Sequence, residues 1–136
     1  MIKTMTKLTT EESPREILSR DFSQKQWPIS GGWGYTKNDA VVIEVENTEE
    51  GVELEYEFLQ CRSYEEAKIS QHEGQIIVIL EFKTKMQTLL EDDNGKFFDY
   101  VVMNVTALSL TKEKPKRIQY EICGYFDISQ FFGKHK

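Results

Sequence analysis

The sequence is poor in the residues that build metal sites and thiol or imidazole catalysis. It has two cysteines, Cys61 and Cys123, and two histidines, His72 and His135. The cysteines lie far apart and in no paired spacing, so neither a zinc site nor a disulfide framework is indicated. A cysteine nucleophile would have to use His72, because His135 falls in the C-terminal tail. We therefore predict no metal and no cofactor, and we favour a protein that is not an enzyme.

Long apolar runs and an export signal are also missing. The longest apolar run is Ile76 to Leu80, far short of the roughly 20 residues that a membrane-spanning helix needs. The lysines near the N-terminus are not followed by an apolar segment. These observations predict a soluble cytoplasmic protein with reduced thiols and no membrane association.

What the chain does contain is enough apolar material for one core. It has 136 residues, of which 39 % are hydrophobic, including eight Phe, six Tyr and two Trp. A chain of this length forms one hydrophobic core in most proteins. We predict a single domain over residues 1–136, with a flexible polar segment at 1–12.

The most regular pattern lies between Val41 and Phe58. Apolar side chains take every second position over 41–45 and again over 54–58, and Asn47 to Gly51 supplies turn residues between them. A period of two is typical of strands with one buried face. We predict a β-hairpin here.

Further strands are predicted at 76–82, 97–110 and 117–125, with an Asn94-Gly95 turn before the second of these and a basic connection over 111–116. Residues 84–91 fit a helix and a strand almost equally well. Ser13 and Pro14 predict the start of a short helix that ends near Arg20 or Asp21. Ser63 predicts a helical turn to about Ser70, with a bent strand as the alternative. Asp127 predicts a capped C-terminal turn that stops at Gly133.

The connections between strands look too short for parallel crossovers. The predicted fold class is therefore α+β: a mainly meander, antiparallel sheet of about five strands, with short helices near the N-terminus and the C-terminus.

Negative charge is unevenly distributed along the chain. The formal net charge is −6, and ten of the 23 acidic residues lie between Asp39 and Glu66, where Arg62 is the one base. In the predicted hairpin, strand alternation would direct one set of carboxylates outward on a single face of the sheet: Glu44, Glu46, Glu53, Glu55 and Glu57. Such a face is either a solvated surface or a binding surface for a basic partner.

The glycine-rich loop Gly31 to Tyr35 is the alternative candidate site. Its glycines would let the backbone approach a ligand, with Trp33 and Tyr35 as a stacking surface and Asp39 nearby. The same residues would also serve a tight bend in which Trp33 closes the end of the sheet. The loop lacks the Gly-Lys-Ser/Thr ending of a phosphate loop.

The functional prediction follows from the charge. We expect a non-enzymatic intracellular interaction protein, of the inhibitor or immunity-protein kind, that binds a basic protein through the acidic sheet face. The alternative is a small-molecule-binding protein or small enzyme that uses the Gly31–Tyr35 loop. Nucleic acid is disfavoured because the one basic cluster, Lys112 to Arg117, is short. A homodimer joined through a sheet edge is left open.

Overall fold

The structure, a computed structural model, describes residues 7–9, 11–23, 26–110 and 114–132. Helix α1 (Pro14–Leu18) continues as a π-helical turn (Ser19–Ser23), and α2 spans Thr48–His72. The strands are β1 (Ile29–Gly31), β2 (Val41–Ile43), β3 (Ile76–Glu91), β4 (Phe97–Leu110) and β5 (Pro115–Asp127). Of the helices in these ranges, none is both long and apolar enough to cross a bilayer.

The strands form one five-stranded sheet in the order β1-β2-β5-β4-β3. The prediction of an α+β fold is confirmed, but the sheet is mixed. Strands β3, β4 and β5 form an antiparallel meander, whereas β2 pairs with β5 in parallel, with Val41 opposite Phe126. The parallel pair arises because α2 first returns the chain along the sheet, so that β3, β4 and β5 then run with, against and with β2.

The largest difference from the sequence analysis is α2. Residues 48–72 form one 25-residue helix, so the predicted strand at 53–58 and the separate turn at 63–70 are wrong. Asn47 caps the helix by accepting a hydrogen bond from the Glu50 amide at 3.0 Å. The segment is rich in Glu, Leu and Gln, which are good helix formers. Its buried positions recur every three or four residues. They are Gly51, Glu55, Phe58, Leu59, Arg62, Ser63, Glu65, Glu66 and Ser70.

The main core lies between α2 and the sheet. Phe58 and Leu59 are fully buried against inward-facing residues of the central strands, including Val101, Val105 and Phe126. The rings of Phe58 and Phe126 meet edge to face, with 5.8 Å between centroids. Burial of large side chains such as these stabilises the fold by roughly 1.5–3 kcal/mol each.

Strand β3 settles the ambiguity at 84–91, because it continues to Glu91 as the outermost strand of the sheet. Its pairing with β4 shifts register at 79–81 and again at 84–86. Such bulges bend a strand. The Asn94-Gly95 turn is present as predicted, with Gly95 at φ 79°.

The two ends of the chain differ from each other in how well they were predicted. Ser13 caps α1 by accepting a hydrogen bond from the Glu16 amide at 3.2 Å, although the α-helix ends at Leu18. The predicted short helix near the C-terminus is not found among residues 114–132. There Asp127 caps a turn by accepting from the Ser129 amide at 3.0 Å. The predicted stop at Gly133, and part of the 1–12 and 111–116 segments, lie outside the described residues.

Candidate functional site

The five glutamates predicted to share an acidic face are separated by the fold. Glu44 and Glu46 are exposed on the segment that leads into α2, and Glu53 and Glu57 are exposed on the helix, but Glu55 is fully buried. In a strand every second side chain points to the same face, so Glu55 would lie with Glu53 and Glu57. In a helix each residue is rotated by about 100° from the one before it, so Glu55 lies on the opposite side from Glu53 and Glu57. The predicted sheet face therefore does not exist.

A different acidic surface takes its place on α2. Positions three, four and seven apart share one side of a helix. Glu49, Glu50, Glu53 and Glu57 satisfy this spacing and are all exposed. We call these four residues the acidic helix face. Sequence reasoning passed over Glu49 and Glu50 because it placed them in a turn.

Within the described ranges, the acidic helix face forms no ion pair. The seven ion pairs between described residues involve other carboxylates. Glu49 and Glu50 lie in the first turn, where the helix dipole favours negative charge. Glu53 and Glu57 lie beyond that turn, and the like-charged pairs at spacing four cost about 0.2–0.5 kcal/mol each.

The buried Glu55 meets a second carboxyl group. Neither of its carboxyl oxygens has a hydrogen-bond partner among the described residues, and the carboxyl group of Asp99 on β4 lies close enough to act on it electrostatically. A neighbouring carboxyl group disfavours the ionised form of a buried acid, so Asp99 adds to the cost of ionising Glu55. Burial, with a contribution from Asp99, raises the pKa of Glu55 to about 10.

Hydrogen bonds connect this acid pair to the surface. Gln87 Nε2 donates to Asp99 Oδ2 at 3.2 Å, and the Tyr56 hydroxyl donates to Gln87 Oε1 at 2.6 Å. Gln87 is exposed and Tyr56 is partly exposed. Asp99 is thus separated from solvent by the Gln87 side chain. A buried carboxyl group with a shifted pKa near the surface is a candidate functional site.

A second buried polar cluster lies further along α2, around Arg62. The Arg62 Nε atom lies 3.5 Å from Glu66 Oε2, and Arg62 Nη1 donates to the Trp33 carbonyl oxygen at 3.0 Å. Arg62 Nη2 donates to the Cys123 carbonyl oxygen. The guanidinium group also packs 4.3 Å from the centre of the Tyr35 ring. This arrangement ties the loop after β1, strand β5 and α2 together.

The residues of the Gly31–Tyr35 loop take part in that cluster. Trp33 is buried, with its ring 6.1 Å from that of Phe58. The Tyr35 hydroxyl donates to Glu66 and accepts from the Leu8 amide at 3.0 Å. Asp39 accepts hydrogen bonds from the Thr36 amide and hydroxyl, both at 2.7 Å. Each polar group that sequence reasoning offered to a ligand is thus bonded within the chain.

An open cleft of about 360 Å³ lies beside the C-terminal end of α2. It is bounded by the π-helical turn, the last turns of α2 and the start of β3. Its lining residues are Asp21, Phe22, Tyr64, Ala67, Lys68, Gln71 and Ile77. Sequence reasoning missed it, because no single segment supplies more than four of these residues.

Comparison with protein-family models, with curated proteins and with solved structures finds no match. Within the described part of the chain, no group of three or more His, Cys, Asp or Glu is placed to hold a metal ion.

Proposed function

We propose that this protein is a non-enzymatic binding protein that engages a basic partner through the acidic helix face. The supporting observation is that Glu49, Glu50, Glu53 and Glu57 are exposed together on one side of α2 and form no ion pair with a described residue. The inhibitor and immunity-protein class, which meets basic enzymes through acidic surfaces, is the kind of protein that this geometry fits.

A row of carboxylates of this kind attracts a basic partner before the two proteins touch, and it also contributes to the bound complex. Complementary charge raises association rates and excludes partners of the same sign. At an ionic strength near 0.15 M the screening length is about 8 Å, so neighbouring carboxylates on α2 still act together on an approaching cation. Binding should therefore be fast at low salt and should weaken as salt is added.

A cytoplasmic location belongs to the same proposal. Cys61 and Cys123 are free thiols. Burial, together with Glu57 and Glu65, raises the pKa of Cys61 to about 12, so this thiol stays protonated and unreactive at neutral pH. Two unpaired thiols are typical of a protein that functions in a reducing compartment.

The test compares two charge-matched double variants in titrations with basic proteins and with an octalysine peptide. The variant Glu53→Gln/Glu57→Gln removes two charges from the acidic helix face. Both residues lie beyond the first turn of α2, where the helix dipole does not stabilise negative charge. The control, Glu81→Gln/Glu91→Gln, removes two exposed charges from β3. We expect only the first pair to weaken binding, by roughly tenfold at low salt. Equal affinity of the two variants, or affinity that does not change with salt, would contradict the proposal.

A second copy of the chain is the alternative partner, and one observation favours it. Strand β3 is an edge of the sheet, and three of its large apolar side chains, Ile76, Val78 and Leu80, are 40–50 % exposed. Exposed apolar edges pair readily with other strands. Light scattering at two concentrations tests this: a constant monomer mass would exclude a homodimer through this edge.

The other alternative, a small-molecule site or small enzyme at the Gly31–Tyr35 loop, has less support. The Tyr35 hydroxyl and the Asp39 carboxylate already bond within the chain, and Trp33 packs into the core.

A further inference from the structure

The cleft at the end of α2 has an apolar base and aromatic sides. Ile77 is buried and Ala67 is half-buried, and Ala67 packs against a small apolar cluster formed by Ile77, Ala107 and Ile118. Phe22 and Tyr64 are exposed to 37 % and 43 %, respectively. Their ring centroids lie 6.3 Å apart, so the two rings offer apolar surface to whatever enters.

The polar groups around the cleft are neutralised in part. Lys68 Nζ lies 3.2 Å from Asp21 Oδ2 and 3.0 Å from Glu65 Oε2. Hydrogen bonding to Glu65, Arg20 and Lys68 lowers the pKa of Asp21 to about 2. Asp21 thus pairs with both Arg20 and Lys68, and Lys68 also pairs with Glu65, so charges of both signs around the cleft balance one another. An apolar base with a polar rim is typical of sites that receive one anchoring side chain.

The cleft and the acidic helix face lie on the same side of α2. Tyr64 is seven residues after Glu57 and eleven after Glu53, and both intervals are close to whole numbers of helical turns. At 1.5 Å per residue, Tyr64 is therefore about 10 Å from Glu57 and about 16 Å from Glu53 along the helix axis. One bound segment could reach all three.

We propose that the cleft receives an aromatic anchor of the basic partner, whose cationic side chains lie about 10–16 Å away along α2 on Glu57 and Glu53. This inference rests on the proposed function and specifies its partner: an extended peptide segment with one aromatic residue and lysine or arginine two and four positions from it. Even spacing keeps the three side chains on one face of the segment; its backbone covers about 7 and 13 Å at about 3.3 Å per residue, and the long cationic side chains span the rest. The charges supply attraction, and the aromatic side chain supplies the buried contact that concentrates binding energy.

The experiment uses the full chain and three acetylated hexapeptides, followed by NMR chemical-shift titration at about 20 mM salt, where screening is weak. The first peptide has tryptophan at its first position and lysine at its third and fifth. The second has alanine in place of tryptophan. The third has tryptophan beside the first lysine, which changes the spacing but not the composition. We expect the first to bind about fivefold more tightly than the other two.

Two protein variants locate the effect. Tyr64→Ser removes one aromatic side of the cleft, and Met86→Ser removes an apolar side chain of similar exposure from β3, since Met86 is 44 % exposed. We expect Tyr64→Ser to bring the first and second peptides within about twofold of each other, and Met86→Ser to leave their ratio unchanged.

The outcomes separate the two proposals. If the three peptides bind equally and with salt dependence, the anchor is overturned and the acidic helix face stands. If the tryptophan peptide keeps its advantage in Tyr64→Ser, the anchor lies elsewhere and the cleft is overturned. If no peptide binds at low salt, both proposals fall.

Discussion

Helix α2 buries two carboxyl groups in opposite surroundings. Glu55 and Glu66 lie about three turns apart on the inward side of the helix, and burial raises the pKa of both. Glu66 has Arg62 and the Tyr35 hydroxyl beside it, whereas Glu55 has another carboxyl group. Burial alone thus does not decide what a buried acid contributes to stability; its neighbours do.

The comparison bears on function as well. A buried ion pair joined to two carbonyl groups and a hydroxyl fixes the relative positions of three segments. A buried acid without a donor lowers stability at neutral pH, because folding has to protonate it. Groups that lower stability are retained at functional sites more often than elsewhere, so the Glu55–Asp99 pair is the part of the interior that most needs a functional explanation.

The largest effect is expected for Arg62→Met. Without the guanidinium group, Glu66 is left as an unpaired buried acid, and the Trp33 and Cys123 carbonyl oxygens lose a donor. We expect the free energy of unfolding to fall by about 3–5 kcal/mol, measured by urea denaturation at pH 7. Arg20→Met is the control, since the Arg20 side chain is exposed. Similar losses in the two variants would contradict the structural role of Arg62.

Glu66→Gln should also lower the free energy of unfolding, but by less than Arg62→Met does. The amide keeps an oxygen for Tyr35 but leaves Arg62 buried without a counter-charge. We expect unfolding free energy to fall by about 2 kcal/mol at pH 7. An unchanged stability would show that Arg62 finds its counter-charge elsewhere.

The identical substitution at the other acid, Glu55→Gln, should stabilise the protein. The folded pKa of about 10 is far above the ordinary 4.5, so the native state holds a proton that the unfolded chain releases. The wild-type protein therefore loses stability as pH rises from about 4.5 towards 10, at up to about 1.4 kcal/mol per pH unit from this group.

The Glu55→Gln variant should lack that slope. We expect it to match the wild type near pH 4.5 and to exceed it by about 2 kcal/mol at pH 8, in urea denaturation at both values. This is less than the full slope gives, because relaxation and water penetration reduce the cost of a buried charge. A variant that is less stable than the wild type at pH 8 would show that the carboxyl group is stabilising and that the comparison with Glu66 is wrong.

The smallest effects are expected from two tyrosines, one beside each acid. Tyr35→Phe loses two hydrogen bonds in the Arg62 cluster and should lower unfolding free energy by about 1–2 kcal/mol. Tyr56→Phe loses one exposed bond to Gln87 and should change it by less than about 0.5 kcal/mol. Thermal unfolding of the two variants side by side measures the difference, and the reverse order would contradict it.

The fold was predictable where local chemistry decides. The cap at Ser13, the turn at Asn94-Gly95 and the core of strands β4 and β5 all follow from nearby residues. The error at 48–72 came from judging a short window: over 54–58 apolar residues alternate as in a strand, and the recurrence every three or four positions emerges only across 51–70. Propensity for helix in the Glu-rich segment was the signal that could have corrected it.

The candidate sites were predictable only in their ingredients. Sequence alone determined that negative charge concentrates between Asp39 and Glu66, that thiols and histidines are few, and that one aromatic, glycine-rich loop exists. Tertiary structure decided which glutamates meet water, which one meets Asp99, and that Phe22, Tyr64 and Ile77 border one cleft. The reason is that burial and contact depend on which side of α2 faces the sheet, and on a parallel pairing between strands more than 70 residues apart, neither of which any local pattern contains.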